Sequence, residues 1–123
     1  NWSDQEMDGR EKPKFIVRTT EGLDEVRSTC GFRKSIFTED DGAGFSVSLL
    51  RISDSKKHYH RATWETYYVL EGEGELELDG EIVALSQGTA VLIRPGVRHT
   101  ARGNVIALIM GAPPFRTDDM FLD

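Results

Sequence analysis

His58, His60, His99 and Glu65 are the residues of this 123-residue chain best suited to hold a metal ion. Side chains alternate along a strand, so His58 and His60, two apart, point to the same side and can converge on one ion. Glu65 lies five residues beyond His60. That odd offset would send it to the opposite face of an unbroken strand, so a turn or bulge in Arg61-Ala62-Thr63 is required. His99 closes the run Arg94-Pro95-Gly96-Val97-Arg98, where Pro and Gly make a bend able to bring an imidazole in from a neighbouring strand. Three neutral imidazoles and one carboxylate suit a first-row divalent ion such as Fe, Mn, Ni, Zn or Cu, and a six-coordinate ion would keep positions open for chemistry. The chain has only these three histidines. No imidazole is left for a Ser-His-Asp arrangement, and proton transfer falls to metal-bound water, Glu65, Tyr67 or another carboxylate.

The elements that must position this set read as strands. Glycine or Asp/Asn punctuation recurs every eight to twelve residues between short alternating or β-branched runs, and no 3.6-residue stripe competes with it. The fold class is therefore all-β and antiparallel. Strands are predicted at residues 15–18, 35–37, 45–51, 67–70, 90–93 and 105–110, with a hairpin over 74–83 turning at Asp79-Gly80, a pair suited to positive φ. Gly42-Ala43-Gly44 and Gly72-Glu73-Gly74 read as turns at strand ends. Residues 1–12 are charged and form an expected loose arm, and residues 13–123 form one domain with a C-terminal tail.

Composition narrows the partners. A formal net charge of -6 opposes phosphate binding, so nucleic acid is not expected. The longest apolar run, residues 105–110, is too short to span a bilayer, and the acidic opening residues do not resemble a signal peptide. Cys30, the single cysteine, has no partner for an intrachain disulfide; it reads as a buried thiol in a reducing, cytosolic protein.

Two motifs give a more specific likeness. His58, His60, Glu65 and Gly72 match G-x5-H-x-H-x3,4-E-x6-G from its histidines onward, and Gly88, Gly96 and His99 match G-x5-P-x-G-x2-H-x3-N. Over residues 45–110 the chain thus resembles the cupin superfamily, in a compact single-domain form. Ile52, Arg94 and Gly103 stand where the motifs have Gly, Pro and Asn; none of the three is a ligand position. The resemblance implies a double-stranded β-helix, or jelly-roll barrel, with one divalent metal ion and a small-molecule ligand or substrate. It leaves three functions open: a dioxygenase-like enzyme, a metal-dependent sugar or sugar-phosphate isomerase, and a non-catalytic ligand-binding or sensing module.

If Glu65 points into the barrel, alternation sends Tyr67 and Val69 inward and Trp64, Thr66 and Tyr68 outward. Tyr67 then becomes a candidate catalytic or substrate-facing group, beside its plainer reading as core. Arg51 shares a face with Phe45, Val47 and Leu49 and is a candidate to hold an anionic substrate. A homodimer is expected, paired through residues 15–18 and covering Met120, Phe121 and Leu122.

Overall fold

The computed structural model describes residues 13–53 and 55–123; the arm expected at residues 1–12 lies outside the described residues. Among the described residues nine strands, β1 (Val26–Ser28), β2 (Gly31–Phe37), β3 (Ser46–Ile52), β4 (His58–Tyr59), β5 (Trp64–Leu78), β6 (Glu81–Leu85), β7 (Ala90–Ile93), β8 (His99–Ala112) and β9 (Phe121–Leu122), are joined by turns and three short 3-10 segments. All pairings are antiparallel. The order β1-β2-β3-β8-β4-β9 is completed by β5, which pairs with β6, β7 and β8, so the sheet curls in the manner of a jelly-roll barrel.

β5 and β8 form the spine. They pair from Trp64 with Ala112 through to Leu78 with His99, with a bulge between Val69 and Glu71. Alternation along β5 buries Glu65, Tyr67, Val69 and Leu76, while Trp64, Tyr68 and Leu70 stay exposed. Leu50, Ile52, Val105 and Ile109 complete the same core. Burying one such aliphatic side chain contributes about 1.5–3 kcal/mol, so the inward faces hold the barrel closed around the site.

The Asp79-Gly80 hairpin is present, with φ of 48° and 89° at the two turn residues. Gly72-Glu73-Gly74 is not a strand-end turn: β5 runs through it. Gly72 has φ +91° and lies so close to β8 that a Cβ there would overlap the Asn104 carbonyl oxygen. The glycine therefore permits a close crossing of two backbones after the bulge.

Residues 15–18 do not form a strand within the chain. The Arg18 guanidinium instead donates to both carboxylate oxygens of Asp41 and to the Ile36 carbonyl, while Phe15 and Val17 are 76% and 78% exposed. The tail folds back onto its own barrel: β9 pairs with β4, and Phe121 stacks on Tyr59. Met120 and Phe121 are thereby half-buried without a partner subunit.

Candidate metal centre

β4, the start of β5 and the start of β8 bring the four candidate ligands together. His58 on β4 is the ladder partner of His99 on β8. Between His60 and β5 the chain bends at Arg61-Ala62-Thr63, the irregularity that Glu65 requires to face inward. Its shape is held by Asp119: the backbone N–H groups of Arg61, Ala62 and Thr63 donate to its carboxylate at 2.9–3.2 Å. Burial opposes a charge on Asp119, but these three donors hold its carboxyl below the usual range. Asp119→Ala is expected to cost about 2 kcal/mol, read from the denaturation midpoint, and to weaken metal uptake because the bend then no longer fixes Glu65 against His60. Asp119→Asn should lose less on both counts.

Each histidine carries the same second contact. His58 Nδ1 lies 2.8 Å from the Lys56 carbonyl, His60 Nδ1 2.9 Å from that of Asp119, and His99 Nδ1 2.9 Å from that of Val97. A carbonyl only accepts, so Nδ1–H donates in every case, and when a ring is neutral its Nε2 carries the free lone pair. Such backbone contacts orient metal-binding imidazoles and fix their tautomer. Ligand nitrogens of all three buried rings lie within 4.8 Å of one another, so the cluster could hold a metal ion.

Glu65 stands beside this cluster. Its carboxylate oxygens lie 3.2 Å from His99 Nε2 and 3.6 Å from His60 Nε2. His60 Nε2, His99 Nε2 and Glu65 Oε1 are nevertheless buried without a hydrogen-bond partner. Stranding three polar atoms costs about 1–3 kcal/mol each, and a cation at their centre removes that cost. The donors present therefore fit a divalent ion of the imidazole-binding series.

Electrostatics bind the group together. Burial opposes the Glu65 charge, but the two imidazoles outweigh it and hold the carboxyl well below its ordinary range. For His60, burial is likewise outweighed by Glu65, leaving its pKa raised. Burial, then the neighbouring His99, lowers His58 to about 4.

Tyr67 faces inward as expected, but it is 1% exposed and packs edge-on against the His99 ring, 6.3 Å between centroids. It stands behind the histidines and is not among the residues lining the adjoining cavity. Burial, with Cys30 and Glu65 nearby, pushes its hydroxyl well above the ordinary value, so it remains protonated. Arg51 is placed elsewhere. Its face of β3 is the outer one, because Ser46, Ser48, Leu50 and Ile52 take the interior, and its guanidinium pairs with Glu25 and lies over Phe32. It does not reach the metal cluster.

Four residues at the site, Cys30, Arg33, Phe115 and Asp119, carry no mark of it in the sequence. Cys30 is buried as expected, yet its Sγ lies 3.7 Å from His58 Nε2. Arg33 and Phe115 line a cavity of about 460 Å³ that opens on His58 and His60. No motif marks these positions; Phe115 and Asp119 come from the tail, and Arg33 from a strand whose first half has no clear apolar alternation.

A cupin-domain family model matches residues 52–106. The chain is 30% identical to a protein from Planctomyces limnophilus whose crystal structure it fits with a TM-score of 0.82, covering 90% of this chain and 97% of the other. It superposes on ectoine synthase from P. lautus with a TM-score of 0.72 at 24% identity, over 82% and 80% of the two chains. It is also 35% identical over 66 residues to an uncharacterized protein of Methanocaldococcus jannaschii, a match spanning about half of each protein, 50% and 53%. Fold and motif together define a small β-barrel with a histidine-lined centre. The chain belongs to the cupin superfamily.

Proposed function

We propose that the chain is a metal-dependent enzyme of oxygenase type acting on a small molecule, with one divalent transition-metal ion held by His58, His60, Glu65 and His99. The observation that carries this reading is the shared tautomer: three Nδ1–H groups are committed to carbonyls and three Nε2 atoms converge beside a buried carboxylate. When bound, the ion supplies Lewis-acid chemistry and, if redox-active, electron exchange with O2. The chain's own part is to orient the imidazoles, to place one negative charge among them, and to offer a mostly apolar cavity that limits water around a bound substrate.

The cavity wall favours oxygen chemistry over isomerisation. An isomerase needs a base beside the substrate carbon, and among the described residues no carboxylate and no imidazole other than those of His58 and His60 lines the cavity. Protein loaded with Fe, Mn, Ni or Cu should consume O2 with a member of a panel of enols, catechols and thiols, and His60→Ala should abolish the uptake. Aldose–ketose interconversion indifferent to O2 would instead establish the isomerase. Binding without turnover would establish a ligand-binding module.

We further infer a homodimer. Phe15 and Val17 are exposed, and an apolar groove on the outer sheet is lined by Phe45, Val47, Trp64, Leu92 and Met110; a second copy would cover both. Light scattering at micromolar concentration should give about twice the chain mass of 13.8 kDa. A mass near 13.8 kDa contradicts the dimer. No helix among the described residues is long and apolar enough to cross a membrane.

A further inference from the structure

β2 carries a charged residue on the inside of the barrel. Arg33 is the ladder partner of Leu50, whose side chain lies in the core, and cross-strand partners share a face. Its neighbours along the strand, Phe32 and Lys34, point the other way: Phe32 pairs with outward Arg51, and the Lys34 ammonium donates to the Thr20 carbonyl. Arg33 alone brings its charge from β2 to the cavity over His58 and His60.

The guanidinium is held but not neutralised. It lies over the Phe115 ring, 4.5 Å from the centroid, which fixes its plane without supplying a hydrogen-bond acceptor. Its Nε–H is buried with no partner. Among the described residues no carboxylate forms an ion pair with it, whereas Arg18, Arg51, Arg98, Arg102 and Arg116 each have one. The chain has 21 acidic residues against 15 basic ones, and yet among the described residues no acid lines this cavity. Leaving a buried guanidinium donor unmatched is costly, and the cost is recovered when an anion accepts from it.

The rest of the wall defines what that anion is attached to. Val26, Phe115 and Met120 are apolar, Ser28, Thr29, Ser35 and Thr117 offer hydroxyls, and the volume of about 460 Å³ is that of a small-molecule site. Arg27 also lines the wall, but its guanidinium lies over the ring of Phe32. One planar fork suits one carboxylate.

We propose that Arg33 is the specificity-determining residue of this cavity and selects a small organic carboxylate, whose anionic group it binds while the remainder of the molecule extends toward the histidine cluster. This deepens the proposed function and rests on it only for the end of the substrate that faces the metal.

The test is calorimetric titration of pyruvate, lactate, benzoate, 3-phenylpropionate and glutarate, each beside its neutral amide, into metal-free and Co(II)-loaded protein. At least one acid is expected to bind, with its amide much weaker. Arg33→Gln should weaken that acid by roughly tenfold to a hundredfold, with the Co(II) visible spectrum and Co(II) affinity unchanged. Arg33→Lys, which keeps the charge but not the fork, should fall between the two and guards against a folding defect in the glutamine variant. If no acid binds, or if acids bind equally to parent and Arg33→Gln, the proposal is wrong. Failure of Co(II) to bind at all would instead count against the metal centre, and the metal-free titrations would still decide the role of Arg33.

Discussion

His60→Ala is expected to lose at least about a hundredfold in divalent-metal affinity and to unfold roughly 10 °C below the parent when metal is supplied at a hundred times the parent's dissociation constant. At that concentration, binding to the folded state alone stabilises it by about 2.7 kcal/mol; a hundredfold weaker site retains about 0.4 kcal/mol. The gap should narrow sharply in excess chelator, because what remains is only the packing of one imidazole and its contacts with Glu65 and the Asp119 carbonyl. Glu65→Gln should behave differently. The amide oxygen remains a weak ligand, so affinity falls less than in His60→Ala, whereas any activity that depends on the carboxylate falls more steeply. Thermal scans with and without chelator, together with metal titration, check both variants.

Gly72→Ala is expected to remove most of the folding free energy. With φ +91°, an L-residue already incurs about 1–2 kcal/mol of strain. The larger cost is that its Cβ would overlap the Asn104 carbonyl oxygen, a backbone atom of the paired strand that cannot swing aside. Separating β5 from β8 at this point disturbs the spine of the barrel, so a total loss above about 4 kcal/mol follows, a large share of ordinary domain stability. Gly80→Ala is the control. It has a similar φ of +89° but open space around the added methyl, so it should lose only the strain. Urea denaturation of the two variants side by side separates the contributions.

Ligand types and their spacing were legible because a metal centre needs side chains of rare chemistry. Three histidines at the two motif positions leave few alternatives, and the required bend at residues 61–63 followed from parity alone. What parity does not reveal is which face of a strand is inside. On β3 the apolar residues Phe45, Val47 and Leu49 share one face, yet the interior takes the other, with Ser46, Ser48, Leu50 and Ile52. Ser46 is tolerated there because its hydroxyl accepts from the Phe115 N–H. The outer face is apolar as well, so alternation makes Arg51 a candidate for the pocket, whereas Arg33 has no apolar neighbours at i±2 to mark its face. The supports supplied by the tail were equally hidden: nothing in the local pattern around Asp119 shows that it will cap a turn 56 to 58 residues earlier.

Anomalous diffraction at the metal edge, from crystals of untagged protein equilibrated with one equivalent of Co(II), tests the central claim most directly. The expected map has one dominant peak per chain, about 2.0–2.2 Å from the Nε2 atoms of His58, His60 and His99 and from a Glu65 oxygen. A map with no peak among these atoms, or with its dominant peak at surface carboxylates, would contradict the account.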